Sequence, residues 1–186
     1  MIAGLILAGG ASRRMGRPKA LLEYQGETFL GRLQRILLAN CSSVVVVLGH
    51  DAALLRPALD PRVKEALNPD PERGMLSSLQ TGLALLDDHT RALFLPLDYP
   101  AIHPRTIARL CQTSQCDVAM PRYQGRRGHP VLISPGVASQ LRALPVSAAA
   151  RDVIRGYEPC YVDVEDPAIL MDVDTPEDYQ ALIQPT

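Results

Sequence analysis

Short apolar runs alternate along the chain with longer segments in which apolar residues recur at helical spacing. The runs are continuous rather than alternating, which is typical of strands buried on both faces of a sheet. They predict strands over residues 2–8, 44–49, 91–98, 117–121 and 130–134. The segments between them predict helices over residues 28–40, 51–59, 75–87, 104–112 and 136–144.

This order of elements predicts an α/β fold, a three-layer α/β/α sandwich around a mostly parallel, Rossmann-like sheet. No linker, repeat or low-complexity tract interrupts the order, so we expect residues 1–186 to form one domain. In open α/β sheets, ligands bind outside the carboxyl ends of the strands. The segments that follow the predicted strands are therefore the candidates for a site.

Composition narrows the class of protein. Hydrophobic residues make up 47% of the chain and charged residues 21%, as in globular proteins, and the formal net charge is −1. A balanced charge gives no global field for nucleic acid or an anionic membrane, and we expect neither as a partner. The first apolar run is short and lacks a basic leader, so we expect neither a signal peptide nor a membrane span.

The four cysteines are scattered along the chain without a C-x-x-C pair. Such a distribution favours free, reduced thiols in a cytoplasmic protein over disulfides or a zinc site. We therefore predict that the protein is cytoplasmic and that Cys41, Cys111, Cys116 and Cys160 are reduced.

The segment GGASRRMGRPK, residues 9–19, follows the first predicted strand and combines two adjacent glycines with four cations and no acid. Glycines allow close backbone approach and positive φ, and Arg and Lys side chains form charge-assisted bonds with phosphate oxygens. The spacing matches neither the Walker A loop nor the G-x-G-x-x-G fingerprint. The loop is predicted to bind phosphate, with a solvated basic loop as the alternative.

Two acidic segments are candidates for a divalent cation, because Mg²⁺ prefers one or two carboxylates together with phosphates and water. Asp98 ends the apolar run RALFLPLD, although it could instead begin a turn or cap a helix. In ILMDVDTPEDY, Asp172 and Asp174 share a face if residues 171–174 are extended. Thr175 as N-cap and Pro176 as first helical residue predict a helix there, so Glu177 and Asp178 are expected to be structural.

Two further loops carry weaker signals. Asn68 lies in a turn-rich stretch, and Gly74 leads into a helix that contains Ser77; an ordinary loop is the alternative. The stretch YQGRRGHPVLIS combines cations with a histidine, and a lone histidine is more often structural than catalytic.

The opening segment LILAGGASRRMGRPK resembles the signature L-A-[AG]-G-x-S-x-R-M-G-x-x-K of nucleotidyltransferases. More narrowly, it is similar to the MobA-like family that adds CMP or GMP to the molybdenum cofactor, with the fold of nucleotide-diphospho-sugar transferases. The resemblance implies that the loop binds nucleotide phosphates and that Lys19 meets charge developing during transfer. It implies phosphate contacts from Gly9, Gly10, Arg14 and Lys19, and base contacts from the backbone near Leu7 and Ala8.

The same resemblance extends to the other segments. It implies that Mg²⁺ is bound by Asp98 and Asp174, with Asp172 as a second ligand or an orienting neighbour. It also implies that the catalytic residues are Lys19, Arg14 and Asp98. It implies base and sugar contacts from Asn68, Gly74 and Ser77, and acceptor contacts from Arg127, Gly128 and His129. The family often has D-Q-P where this chain has Asp98-Tyr99-Pro100, which bears on substrate contacts rather than on the metal.

The implied reaction is transfer of a nucleoside monophosphate to the terminal phosphate of the molybdenum cofactor, with release of pyrophosphate. RGHPVLI and DVDTPED resemble the cytidylyl branch and favour CTP, whereas LAGG is usual in the guanylyl branch and leaves GTP open. Transfer to another acceptor, such as a sugar phosphate, and a non-catalytic carrier of the pterin cofactor are the alternatives. A molybdoenzyme or its chaperone is a candidate protein partner.

Overall fold

The structure is a computed structural model that describes residues 1–113, 115–145 and 147–184. The strands are β1 (Ile2–Ala8), β2 (Glu23–Tyr24), β3 (Glu27–Thr28), β4 (Ser43–Leu48), β5 (Lys64–Leu67), β6 (Arg91–Pro96), β7 (Val118–Tyr123), β8 (Arg126–Arg127), β9 (Val131–Ile133) and β10 (Cys160–Asp163). The α-helices are α1 (Phe29–Leu38), α2 (Ala52–Leu55), α3 (Met75–Leu83), α4 (Pro104–Cys111), α5 (Pro135–Ala143), α6 (Ala150–Ile154) and α7 (Pro176–Ile183).

One sheet forms the middle layer, in the order β10-β7-β9-β6-β1-β4-β5, with β8 paired to β7. The pairs β6-β1, β1-β4, β4-β5 and β7-β10 are parallel, whereas β9 runs antiparallel to both β6 and β7. The strands β2 and β3 form a separate two-stranded hairpin. The predicted mostly parallel sheet is confirmed.

Helices cover both faces of this sheet, which confirms the three-layer sandwich. On one face, apolar residues of α1, α2, α4 and α7 pack against alternate positions of β1, β4 and β6. On the other face, α3, α5 and α6 cover the intervening positions of these strands and of β7 and β9. Among the described residues, no helix has both the length and the apolar character that a membrane span requires.

The five predicted strands and five predicted helices are all present, mostly with shorter bounds. The predicted helix 51–59 ends at Leu55 and continues as a 3-10 helix over Arg56–Ala58, since Pro57 cannot donate a helical hydrogen bond. The edge strands β5 and β10 were not predicted, because each carries polar residues at exposed positions and lacks a continuous apolar run.

The prediction of four reduced thiols is wrong for two of them. Cys116 and Cys160 form a disulfide, although 44 positions separate them in the sequence. The parallel pairing of β7 with β10 explains it, because Cys160 lies opposite Ala119 and the two cysteine Cα atoms are 6.1 Å apart. Cys41 and Cys111 are free, as predicted.

Candidate active site

The loop after β1 folds on its own polar groups. The Ser12 carbonyl accepts from the amides of Met15 and Gly16 at 3.0 and 3.2 Å, and the Ser12 hydroxyl accepts from the Lys19 amide at 3.1 Å. Met15 is buried and anchors the loop to the core. These contacts hold residues 12–19 in one compact turn, from which Lys19 leaves at a fixed position.

Gly9 and Gly10 do not use the positive φ that glycine permits, since Ser12 and Gly16 take that conformation in this loop. Gly9 is needed for close packing: a Cβ there would lie 2.7 Å from the Ser78 hydroxyl. The Gly9 carbonyl oxygen also packs against Gly49, where an added Cβ would lie only 2.3 Å from that oxygen. Gly10 has open space around it, so of the two glycines it is Gly10 that faces the site.

The loop lines a cleft of about 280 Å³ at the carboxyl ends of β1 and β6. Its walls bring together most residues that sequence analysis assigned to the nucleotide and the metal, from three distant segments of the chain. Those predicted residues are Leu7, Ala8, Gly10, Arg14, Lys19, Asp98 and Asp174. Arg13, one of the four cations of the predicted phosphate loop, lines the cleft too, and Ser12, which was not predicted, lines it beside Arg13.

Cations and one carboxylate are paired inside this cleft. Lys19 Nζ lies 2.5 Å from Asp174 Oδ1, and Arg14 Nη2 lies 2.6 Å from Asp174 Oδ2. The Lys19 side chain is only 12% exposed, whereas that of Arg14 is 68% exposed. The hydrogen bond from Lys19, followed by its charge and the contacts of Arg14, holds the pKa of Asp174 below its usual value.

In the ranges that the structure describes, Asp98, unlike Asp174, has no cation bonded to it. Its Oδ1 is buried and lacks a hydrogen-bond partner among the residues described. Burial raises its pKa to about 6, partly offset by the charge of Lys19 and reinforced by Asp174. A backbone hydrogen bond of 2.8 Å from the Val173 amide to the Asp98 carbonyl brings the two acidic segments together.

An unpartnered buried carboxylate oxygen beside a second carboxylate suits a hard divalent cation. Asp98 and Asp174 could together supply the one or two carboxylates that Mg²⁺ takes when phosphates and water complete its coordination. In the ranges 1–113, 115–145 and 147–184, no three His, Cys, Asp or Glu side chains form a complete metal site. The donor set therefore fits a cation that enters with a phosphate ligand.

Asp172 lies beside this cleft and does not line it. Residues 171–174 are not part of a strand, and of the two aspartates it is Asp174 that lines the cleft. A role of Asp172 as second ligand or neighbour stays a prediction. The segment is held by Val173, which is buried and bonded to the Asp98 carbonyl. The exposed Asp172 is near enough for its charge to contribute to the raised pKa of Asp98.

The helix that follows has the predicted start. Thr175 is the N-cap of α7 and Pro176 its first residue. The Thr175 hydroxyl accepts from the Asp178 amide, and the Asp178 carboxylate accepts from the amides of Thr175 and Asp174. Asp178 is thus structural, as predicted, and it fixes the backbone that carries Asp174.

Asn68, Gly74 and Ser77 form a group of their own outside the cleft lining. Asn68 is buried and donates to the hydroxyls of Ser77 and Ser78 at 2.9 and 3.0 Å. Gly74 is the N-cap of α3, with φ of 83°. The contacts of Ser78 with Asn68 and with Gly9 connect this group to the first loop, and its predicted base and sugar contacts stay a prediction.

Arg127, Gly128 and His129 line a second pocket, of about 250 Å³, between the sheet and α6. A Cβ on Gly128 would lie 2.1 Å from the Ile169 carbonyl, so only glycine fits there. The His129 amide donates to that same carbonyl at 3.1 Å. Burial, opposed by the charge of Asp172, lowers the pKa of His129 to about 4, which leaves its ring neutral at pH 7.

Comparison with known families agrees with this geometry. Residues 4–160 match the MobA-like NTP transferase domain. The chain belongs to the MobA-like NTP transferase family.

Individual relatives cover almost the whole chain. It is 31% identical to the nicotine blue oxidoreductase of Paenarthrobacter nicotinovorans, over 98% of this chain and 96% of that protein. It is 27% identical to the molybdenum cofactor cytidylyltransferase of Escherichia coli (strain K12), over 94% and 92%. A crystal structure of Rv0371c from Mycobacterium tuberculosis H37Rv superposes with a TM-score of 0.85, at 28% identity over 98% of this chain and 96% of that chain. A crystal structure of Rv0371c in complex with manganese superposes with a TM-score of 0.82, at 25% identity over 100% of this chain and 99% of that chain.

The MobA-like site also contains residues that sequence reasoning missed. The buried Arg32 of α1 donates from Nε to the Pro100 carbonyl at 2.8 Å, which holds the turn that follows Asp98. Tyr99 packs against His129, with ring centroids 4.7 Å apart. The available signal for Arg32 was an arginine between apolar residues on the buried side of α1, but only the fold shows its partner.

Proposed function

We propose that the protein is a Mg²⁺-dependent nucleotidyltransferase that transfers a nucleoside monophosphate, with CTP favoured, to the terminal phosphate of the molybdenum cofactor. The observation that carries this proposal is the cleft in which Asp98, with its unpartnered Oδ1, adjoins the Lys19–Asp174–Arg14 cluster. Such a site joins a cation position to phosphate-binding groups. Nucleotidyl transfer requires both.

The reaction is a displacement at the α-phosphorus of the nucleoside triphosphate. An oxygen of the acceptor phosphate forms the new P–O bond, the bond to the β-phosphate breaks, and pyrophosphate leaves. The second pKa of a phosphate monoester is about 6, so the acceptor is largely ionised at pH 7. A strong general base is unnecessary, in keeping with the low pKa of His129, which is about 4.

Lys19 and Arg14 supply positive charge to the phosphates. A triphosphate in the cleft competes with Asp174 for both side chains, because phosphate oxygens are strong acceptors of charge-assisted hydrogen bonds. Release of the Asp174 oxygens would free that carboxylate to hold a cation together with Asp98. Mg²⁺, when bound, neutralises phosphate charge and polarises the phosphoryl oxygens.

The choice of nucleotide and acceptor draws on the relatives. The segments RGHPVLI and DVDTPED and the relative named a cytidylyltransferase support CTP and the molybdenum cofactor. The manganese complex of Rv0371c supports a divalent cation. GTP as donor, or a sugar phosphate as acceptor, would use the same cleft.

A pyrophosphate-release assay tests this function. It combines the purified protein with Mg²⁺, molybdenum cofactor from which nucleotide has been removed, and CTP, GTP, ATP or UTP in turn. We expect release only when cofactor, Mg²⁺ and one preferred nucleotide are all present. Binding of the cofactor without consumption of any nucleotide would contradict the proposal and support the carrier alternative.

An oxidoreductase is the second candidate, because the chain is 31% identical to a protein named nicotine blue oxidoreductase over nearly its whole length. The apolar walls of the second pocket could also seat a flat organic substrate. Oxidation of a reduced nicotinamide nucleotide in the presence of candidate dyes, without any nucleoside triphosphate, would support this alternative. We expect no such turnover.

A further inference from the structure

The second pocket has an apolar floor. Phe94, Met120 and Val131 form it from three neighbouring strands, and each is less than 10% exposed. Met75, the first residue of α3, stands at the edge with 49% of its surface exposed, which is unusual for a methionine. The volume of about 250 Å³ is just below the range of ~300–1,000 Å³ typical of ligand pockets. It suits a ring system rather than a whole dinucleotide.

The rim of the same pocket is cationic. Arg127 comes from β8, whereas Arg151 and Arg155 come from α6 and the residue after it. All three are exposed. The nearest acid to any of them is Asp152, whose contact with Arg151 is long, at 4.0 Å, and highly exposed. Of the described residues that line the pocket, none is acidic.

Tyr99 and His129 connect the second pocket to the cleft. His129 lines the second pocket, and its ring packs against Tyr99, the neighbour of Asp98. A molecule seated in the second pocket would therefore have to pass this aromatic pair to place one end at Asp98. An acceptor whose reacting phosphate lies in the cleft would place its ring system in the second pocket.

We propose that α6 is the specificity element for the acceptor: Arg151 and Arg155 bind an anionic substituent of a flat, fused-ring acceptor whose rings lie on Phe94, Met120 and Val131. The anionic substituent is distinct from the phosphate that reacts at Asp98. Met75 covers the outer face of the rings, where its flexible thioether can adjust to them. The proposal rests on the proposed function, since it assigns the acceptor side of that reaction.

Binding of a fluorescent probe tests the proposal without any turnover. Pterin-6-carboxylate is a flat fused-ring anion, and unsubstituted pterin is its neutral counterpart at pH 7. Fluorescence titration of the whole protein should show tighter binding of the carboxylate. Arg151→Gln/Arg155→Gln should weaken carboxylate binding about tenfold or more, because charge-assisted hydrogen bonds are lost, and should leave pterin binding unchanged.

Three further variants make the outcome decisive. Arg105 is an exposed arginine on α4, in the opposite layer. The variant Arg105→Gln should bind both probes as tightly as the unaltered protein does. Arg151→Lys/Arg155→Lys keeps the positive charge, so its affinity for the carboxylate should stay within about threefold of that of the unaltered protein. Met75→Gln should weaken the binding of both probes equally, since it removes an apolar side chain that covers the rings and changes no charge. The proposal would be overturned if the glutamine double variant bound the carboxylate as tightly as the unaltered protein does. It would also be overturned if the glutamine and lysine double variants lost the same amount of affinity for the carboxylate.

The transfer assay gives the second readout. In the glutamine double variant, the KM for the acceptor should rise about tenfold, while kcat and the KM for the nucleotide stay unchanged. If no nucleotide is consumed by the unaltered protein, the proposed function fails, but the probe titration still decides whether α6 binds a flat anion. A rise in the KM for the nucleotide instead would overturn the assignment of α6 to the acceptor.

Discussion

The two halves of the sheet differ in regularity and in how they hold charge. One half, β6-β1-β4-β5, is wholly parallel and carries the cleft with Asp98, Lys19 and Asp174. The other half, β10-β7-β9 with β8, mixes directions, contains the disulfide and carries most of the arginine-rimmed pocket, whose floor also includes Phe94 of β6. Under the proposed function, the regular half would bind the nucleotide and the irregular half the acceptor.

Charge is arranged differently in the two halves. In the cleft, Lys19 and Arg14 are both bound to Asp174. At the second pocket, Arg127, Arg151 and Arg155 have no ion pair shorter than 4.0 Å within the described part of the chain. To bind an anionic ligand, Lys19 and Arg14 must give up their contacts with Asp174. The exposed arginines of the second pocket need only give up bound water. We therefore expect substitutions in the cleft to change turnover and those at the pocket to change acceptor affinity.

The largest effect is expected for Asp98→Asn. This change removes the carboxylate with the unpartnered Oδ1, and turnover with Mg²⁺ should fall roughly 10²–10³-fold, as when an electrostatic group of a transition state is deleted. The measurement is Mg²⁺-dependent pyrophosphate release at saturating substrates. Asp88→Asn, whose side chain is 81% exposed, is the control and should change turnover little. Turnover of Asp98→Asn near that of the control would contradict the cation assignment.

The second prediction concerns the irregular half. Loss of the Cys116–Cys160 disulfide should lower the free energy of unfolding by about 2–4 kcal/mol, since it closes a loop with a sequence separation of 44. Urea unfolding with and without a thiol reductant measures this. The variant Cys160→Ser should have the lower stability under both conditions and no longer respond to reductant. Equal stability of the native protein in both conditions would show that the disulfide does not form.

The third prediction concerns stability and pH. Asp98 has a pKa of about 6 in the folded protein against a usual value of 3.8, so the folded state holds this proton more tightly than the unfolded state. Its ionisation therefore costs stability at pH 7, by about 3 kcal/mol, and the cost vanishes as the pH falls from 6 toward 4. Without Mg²⁺, Asp98→Asn should exceed the native protein in stability at pH 7.

The measurement for this prediction is urea unfolding in the presence of a chelator at pH 7 and at pH 4. The stability difference between Asp98→Asn and the native protein should be largest at pH 7 and should shrink at pH 4, where Asp98 is protonated. A difference that grows at the lower pH would mean that burial does not raise the pKa of Asp98. The variant that loses activity is thus expected to be the more stable one.

The regular half was largely predictable from sequence. The runs IAGLILA, SVVVVL and RALFLP are continuous because their strands are covered on both faces, and they place Asp98 and the first loop at one edge of the sheet. The φ values in the loop were not predictable. Ser12 rather than Gly9 or Gly10 takes the positive φ, because its backbone and hydroxyl close the turn around Met15 and Lys19.

The irregular half was predicted less well for a physical reason. Helix α6 is only five residues long, so its apolar positions Ala150, Val153 and Ile154 cover a single turn and give a weak periodic signal. The strand β10 alternates at a sheet edge, and its pairing with β7 is what joins Cys116 to Cys160. Contacts between distant segments determine these features, and local patterns carry little information about them.

The smallest effect tests whether burial, rather than ion pairing itself, makes the cleft cations important. The pair of Arg13, a loop residue, with Glu72 outside the loop has a contact of 2.5 Å like that of Lys19 with Asp174, but its side chains are 73% and 58% exposed. Exposed pairs contribute little, so Glu72→Gln should change the free energy of unfolding by less than about 1 kcal/mol and leave turnover within about twofold. Thermal unfolding and the pyrophosphate assay measure both. A loss comparable to that of Asp98→Asn would mean that Glu72, which also contacts His50 at 2.8 Å, belongs to the catalytic set, and the cleft would then extend to the outer side of the loop.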